Sequence, residues 1–310
     1  MRCRPFFLAL FLAGTLSSAF ARPVWIDTDV SIGSPLREVD DAFALVLAFH
    51  SPELRIAGIS TSYGNAGRSD ADRVALNMVR RFGSPAHLSD QNVFSGARSP
   101  GDLGKATPAT QALATALQKQ SLTYIAIGPL TNLATFLQLH PALAPRIERI
   151  VFVGGAVPGE GVRAGPHGIF PVHDANVLKD PRAVEIVLRC GIPLLLAPIA
   201  TGRRLALTER QMKELGTKSN AGRFLETQSR TWLWFWTTFS GAEGAPVFDA
   251  LAILAAARPE ICRPAQVRVQ MQPDKDLRID RKPGRRSAIS ALLNISPEAT
   301  RILLQRLRSR

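Results

Sequence analysis

The chain predicts an α/β protein: a single domain on a mostly parallel central sheet flanked by helices. Three observations carry this expectation. Short apolar runs alternate with stretches of helical periodicity, polar or Gly-rich turns separate them, and no Ser/Gly-rich linker, repeat or low-complexity stretch divides the chain. Strands are expected at 24–26, 54–59, 122–127, 150–153 and 192–196. Helices are expected at 41–49, 70–82, 107–119, 131–139, 181–189, 208–215 and 248–257, several opening with Ser, Thr, Asp or Pro in capping positions. The polar motifs consequently fall where strands end and helices begin, which is where open α/β sheets bind their ligands.

The amino end reads differently. Met1-Arg2-Cys3-Arg4 is basic, residues 6–16 are apolar, and Ala19-Phe20-Ala21 fits the small-x-small pattern before a signal-peptidase cut. The apolar run is shorter than the roughly 20 residues that span a bilayer, and no cysteine stands at the cut to carry a lipid. Residues 1–21 are therefore expected to be a cleavable signal peptide without a membrane anchor, and residues 22–310 the mature domain, secreted or periplasmic. Export allows disulfides, and Cys190 and Cys262 remain as either one bridge or two thiols.

The formal charge of +13 becomes +11 once Arg2 and Arg4 leave with the leader. Such a balance attracts nucleic acid or anionic surfaces when it is concentrated. Here it is dispersed, apart from Arg281, Lys282, Arg285, Arg286, Arg301, Arg306, Arg308 and Arg310, so no nucleic-acid partner is expected.

Chemistry concentrates after the first strand. Asp27-Thr28-Asp29 follows Val24-Trp25-Ile26, and Asp40-Asp41 opens the next helix after a loop of ten residues. Four carboxylates at one point repel unless protons or a cation neutralise them, and oxygen-only ligands favour a hard ion such as calcium or magnesium. The plainer reading is that Asp40 caps the helix, Asp41 improves its dipole, and Asp27 and Asp29 face water. Asp27-x-Asp29-x-Ser31 also resembles the nucleophile loop of haloacid-dehalogenase-like phosphatases, but the second acidic pair that fold needs is missing.

A second resemblance spans nearly the whole mature chain. Trp25-Ile26-Asp27-Thr28-Asp29, Val39-Asp40-Asp41-Ala42-Phe43-Ala44-Leu45, Ser51-Pro52-Glu53-Leu54, and Gly58-Ile59-Ser60-Thr61 leading to Gly64-Asn65 resemble the amino-terminal signature of the inosine-uridine nucleoside hydrolase family. Gly128-Pro129-Leu130-Thr131-Asn132-Leu133-Ala134, Val153-Gly154-Gly155, Asp174-Ala175-Asn176, Asp180-Pro181 and Asp249-Ala250-Leu251-Ala252 come next, in the family's order. The resemblance implies the nucleoside hydrolase fold with its Rossmann-like core, a small nucleoside substrate, calcium as cofactor, and a homo-oligomer.

Carried over residue by residue, it implies that Asp29, Asp41 and Asp249 bind calcium through side chains and Ile127 through its carbonyl. Asp40 and Asn65 would hold the ribose 2′ and 3′ hydroxyls. Asn176 and Asp174 stand where the family has an Asn and a Glu on the far side of the sugar, and Asp27 would orient its neighbours from behind. Breaking the N-glycosidic bond places positive charge on the ribose and negative charge on the base. Asp29 is the expected general base toward the attacking water.

Departures from the pattern concentrate on the leaving group. Phe248 precedes Asp249 where many members carry His, and Val93-Phe94-Ser95-Gly96-Ala97-Arg98 holds no His-Gly pair. Purine-preferring members resemble the chain in placing an aromatic residue before the last Asp, so Phe248 is read as a stacking platform and the enzyme as purine-leaning. Trp232, Trp234 and Trp236 are either further platforms or packing. His167 and His173 lie in a Gly-rich loop ahead of Asp174, as proton donors brought in by loop closure or as plain solvated residues. The loop between Asp29 and Asp40 is long, and Gly159-Glu160-Gly161 lacks the family's Asn. A non-catalytic nucleoside- or ribose-binding protein on the same fold is the competing function.

Overall fold

The apolar run just after the expected leader becomes an interior strand of the main sheet. β1 (Arg22–Thr28) pairs in parallel with β2 (Leu54–Thr61) on one side and with β4 (Leu122–Ala126) on the other, after β3 (Val93–Ser95) has extended the β2 edge. The computed structural model describes residues 21–33, 37–282 and 288–309; the expected leader up to Phe20, and Arg285, Arg286 and Arg310 of the basic tail, lie outside the described residues.

The other half of the sheet comes from β5 (Ile147–Val153), later strands β8 (Leu194–Ala197) and β14 (Ile289–Ile295), and the antiparallel edge strand β11 (Cys262–Gln266). Between these lie three two-stranded ribbons: β6 (Val162–Ala164) with β7 (Phe170–Val172), β9 (Ala206–Leu207) with β10 (Ala245–Pro246), and β12 (Arg268–Met271) with β13 (Leu277–Asp280). The eight-stranded order β11-β14-β8-β5-β4-β1-β2-β3 bears out the expected mostly parallel α/β sheet. Chain order runs from β1 outward to β3 and then jumps to β4 on β1's other flank, so the sheet reverses at β1. The crevice above such a reversal is where these sheets bind ligands.

Every helix expected from periodicity is present. The helices are α1 (Asp40–Phe49), α2 (Arg68–Phe82), α3 (Pro108–Lys119), α4 (Thr131–Leu139), α5 (Ala175–Lys179), α6 (Pro181–Arg189), α7 (Ile199–Gly202), α8 (Glu209–Lys218), α9 (Asn220–Gln228), α10 (Arg230–Trp234), α11 (Ala250–Ala257) and α12 (Glu298–Leu307). Two of them run through the core. α1 and α11 are apolar on all sides beyond their first turns, are buried along their full lengths, and pack against each other.

Boundaries moved where a special residue intervened. The strand expected at 192–196 begins at Leu194, because Pro193 has no N–H to donate to the ladder. The helix expected at 248–257 begins at Ala250, leaving Phe248 and Asp249 on the approach to it. Cys190 and Cys262 are free thiols, which decides between the two alternatives, and burial pushes the Cys262 thiol up to about 12. No described helix is long and apolar enough to cross a membrane.

Candidate active site

Helix starts in this chain use their carboxylates in two ways. Asp174 and Asp180 cap their own helices, accepting N–H bonds from Val177 and Ala183 at 3.2 and 3.0 Å. At α1 the capping position is Val39, and at α11 it is Asp249 itself without any side-chain cap bond. The capping reading of Asp40 is thereby excluded. Asp40, Asp41 and Asp249 instead gather at a common centre, at the amino ends of two buried helices whose dipoles favour negative charge.

Among the described residues, one oxygen from each of Asp40, Asp41 and Asp249 lies within 4.8 Å of the others. Burial raises all three carboxyls well above their ordinary value, and the neighbouring carboxylates raise them further. Asp29 is fully buried beside them but is not part of that close group. Its Oδ2 accepts the Asn65 N–H at 2.7 Å and faces the Lys179 ammonium at 3.4 Å, while Oδ1 has no partner. Its carboxyl is also raised, by burial first, with Lys179 opposing. The expected metal set is Asp29, Asp41 and Asp249, with Asp40 on the sugar; the close group of oxygens is that of Asp40, Asp41 and Asp249, with Asp29 fully buried alongside.

The backbone has been cleared to admit Asp29. A Cβ on Gly64 would stand 1.7 Å from Asp29 Oδ2, and one on Gly128 would stand 3.0 Å from Oδ1. Asp41 is held from both sides: its Oδ1 accepts Thr28 Oγ1 at 2.5 Å and the Asp29 N–H at 3.2 Å, and its Oδ2 accepts Asn65 Nδ2 at 3.0 Å. Behind them Asp27 Oδ1 accepts Ser60 Oγ at 2.6 Å and Asn132 Nδ2 at 2.8 Å, and burial lifts the Asp27 carboxyl to about 6. Trp25 Nε1 donates to the same Ser60 hydroxyl at 2.9 Å, tying the layer to the core.

A pocket opens over this floor. Asp40, Asn65, Ile127, Asp174, Asn176, Phe248 and Asp249 all line it, so the expected substrate residues are brought to one place. Asn176 Nδ2 donates to the carbonyls of Ile127 and Val153 at 3.3 and 3.1 Å, a bond that fixes the carbonyl expected to be a ligand. Asp174 lines the wall but spends its oxygens on backbone: Oδ2 accepts the Gly155 N–H at 2.6 Å, Oδ1 caps α5, and burial lifts its carboxyl to about 6. Phe248 is buried with Trp236 edge-on behind it, ring centroids 6.2 Å apart.

The donor set fits a hard cation. It is all oxygen, and the buried Asp29 Oδ1 and Asp40 Oδ1 find no partner in the protein, an arrangement that costs free energy unless a proton or cation compensates it.

Several site residues escaped the sequence reading. Glu38 lines the pocket with a carboxyl raised by burial, and Asp40 feels its charge before any other. It lies two residues before Asp40 in a loop with no periodicity to mark it. Lys179 had a signal: it comes three residues after Asn176 on α5, one helical turn away on the same face. Thr131 and Asn132 looked like an ordinary helix start. Asn132 instead bridges Asp27, the Ala97 N–H and the Thr61 carbonyl, and Thr131 donates to Asp180 at 2.7 Å. His173 also lines the pocket, whereas His167 lies on the β6–β7 turn away from it.

Fold and site together define an α/β protein with a buried carboxylate centre, suited to a hard cation, at the reversal point of a parallel sheet. The chain belongs to the inosine-uridine preferring nucleoside hydrolase family, whose model matches residues 24–292. It is similar to uridine nucleosidase 1 of Arabidopsis thaliana, 27% identical over 278 residues covering 80% of this chain and 78% of that protein. It is also similar to the pyrimidine-specific ribonucleoside hydrolase RihA of Klebsiella pneumoniae, 29% identical over 273 residues covering 78% and 81%. The purine-preferring ribonucleoside hydrolase of Gardnerella vaginalis shares its fold with a TM-score of 0.77 at 21% identity, covering 93% of this chain and 98% of that one. The protein is thus an enzyme of the nucleoside hydrolase class.

Proposed function

We propose that this enzyme hydrolyses the N-glycosidic bond of ribonucleosides to free base and ribose, that calcium is its cation, that it leans toward purines, and that it works outside the cytoplasm. The observation that carries the reading is the convergence of Asp40, Asp41 and Asp249, with partnerless buried oxygens on Asp40 and Asp29, directly under a pocket lined by Asn65 and Asn176. Asp41, Asp249, Asp29 and the Ile127 carbonyl would hold calcium, with Asp40 close enough to share. When bound, calcium supplies positive charge against the carboxylates and a fixed point for positioning the ribose diol.

The protein's own groups supply the rest. Asp29 accepts a proton from the water that attacks the anomeric carbon; burial raises its affinity for that proton. Asp40 and Asn65 bind ribose hydroxyls, and Asn176 holds the opposite wall. As the bond between C1′ and the base nitrogen breaks, the electron pair leaves with the base, which then takes a proton. Phe248 offers an apolar face for that base, and His173 is the imidazole on the pocket wall able to donate. The buried aromatic face supports the purine leaning, although the relatives include uridine- and pyrimidine-named enzymes. The basic start, short apolar run and Ala-Phe-Ala end of residues 1–21 support export.

The test is release of reducing sugar from inosine, guanosine, uridine and cytidine, with calcium and with chelator. Calcium-dependent release, fastest on purines and absent in Asp29→Asn, is the expected result. Release unaffected by chelator sinks the calcium assignment, and faster release from uridine reverses the base preference.

A further inference from the structure

One charge in the site has the wrong sign for a cation centre. Lys179 Nζ lies 3.4 Å from Asp29 Oδ2 and 3.3 Å from Asn65 Oδ1. Its side chain is only 23% exposed, so the ammonium is held inside the site and is no surface group sweeping past it. It closes α5, and its backbone carbonyl accepts the Tyr63 hydroxyl at 3.3 Å, a hydroxyl that also meets Thr131 Oγ1 at 3.0 Å. Among the described residues it is the one Lys or Arg paired with any carboxylate of the centre.

We propose that Lys179 is an internal rival of the cation: its ammonium holds Asp29 apart from the Asp40, Asp41 and Asp249 group and sets how tightly the site takes a divalent ion. This rests on the reading that the centre binds calcium. A single positive charge cannot balance Asp29, Asp40, Asp41, Asp249 and Glu38, so the site keeps its demand for a cation. An ion that engages Asp29 must nonetheless approach an ammonium already in contact with that carboxylate, and like charges at such range repel strongly in a buried setting. In return, Lys179 relieves repulsion among the carboxylates when no ion is present, which lets the fold persist without it. The same contact reaches Asn65, so Lys179 also sets the orientation of an amide that touches Asp41.

The experiment is calorimetric titration of the purified, chelator-stripped protein with calcium, paired with its melting temperature with and without calcium, for wild type, Lys179→Met and Lys179→Arg. Lys179→Met should bind calcium more tightly, by about tenfold. It should also melt lower than wild type in chelator, with the gap closing in calcium. Lys179→Arg, which keeps the charge, should stay near wild type in both readouts. Equal or weaker calcium binding by Lys179→Met overturns the rivalry and leaves Lys179 a purely structural contact. Heat of binding absent from all three proteins overturns the cation site itself, and the rivalry with it; binding that is present but equal overturns only the rivalry.

Discussion

The floor and the wall of the pocket are built on opposite principles. On the floor, Asp27, Asp29 and Asp41 are fully buried and most of their oxygens have named partners from Thr28, Ser60, Asn65, Asn132 or Lys179. On the wall beside Phe248, the helix of residues 230–239 and the β6–β7 hairpin meet through apolar contact. Trp236 and Phe248 are buried, while Phe170 and Trp234 are about half exposed and Trp232 stacks on Phe235. That helix also relaxes into a π-helical turn at Phe235–Phe239, a distortion common near functional sites. Buried charge tolerates few arrangements, because each oxygen needs a partner; apolar contact area tolerates many. The floor should therefore decide whether the bond breaks, and the wall which base is accepted.

Removing a floor carboxylate gives the largest expected effect. Asp29→Asn should cut kcat/KM by roughly 10²- to 10⁴-fold, and by the same factor for inosine and uridine; a base-selective loss would break the division between floor and wall. His173→Ala should come next, lowering kcat on the order of 10²-fold with KM little changed. An unchanged kcat would return His173 to an ordinary solvated residue and leave the base's proton to solvent. Phe248→Leu keeps apolar volume but removes the ring, so it should shift the inosine-to-uridine ratio only by about 0.5 to 1.5 kcal/mol. Calcium affinity measured on the same variant should not move.

The smallest effect concerns stability. Burial raises the folded-state carboxyls of Asp27 and Asp174 to about 6, and raises those of Asp29, Asp40, Asp41 and Asp249, whereas unfolded Asp titrates near its ordinary value of 3.8. Between those values the folded state holds more protons than the unfolded state, so stability falls as pH rises. In chelator the melting temperature should fall from about pH 4 through pH 6 and continue falling above it for the more strongly raised groups. Calcium should flatten that slope, and Asp40→Asn should lessen it. A melting temperature that rises with pH in chelator across this window would contradict the burial account of the floor.

Much of the floor was legible because its signals are local. Asp27, Asp29, Asp40 and Asp41 sit within one strand-loop-helix unit, and Gly64-Asn65 and Asp249-Ala250 fall at strand ends and helix starts that hydrophobic periodicity already marked. Glu38 was not legible, since a carboxylate in an irregular loop looks solvated until the chain around it closes. β11 and β14 escaped because they owe their pairing to partners distant in the chain, and the β6–β7 hairpin because its strands are only three residues each. The run Thr231 to Trp236 could be packing or platform on sequence alone. In the structure Trp236 packs edge-on behind Phe248, while Trp234 stays half exposed.

The sequence by itself determined the alternation of strand and helix, because side-chain period and backbone-breaking residues act over a few neighbours, and its ordered motifs carried the resemblance to the family and singled out the acidic residues. Tertiary structure alone decided which carboxylates share a centre. Asp249 meets Asp40 and Asp41 only because α1 and α11 pack side by side with their amino ends together. It likewise turned Asp174 to the backbone and brought Lys179 against Asp29, a residue 150 positions away in the chain. The physical reason is the same in each case: burial makes an uncompensated charge costly, and the available partners are set by the packing of distant elements.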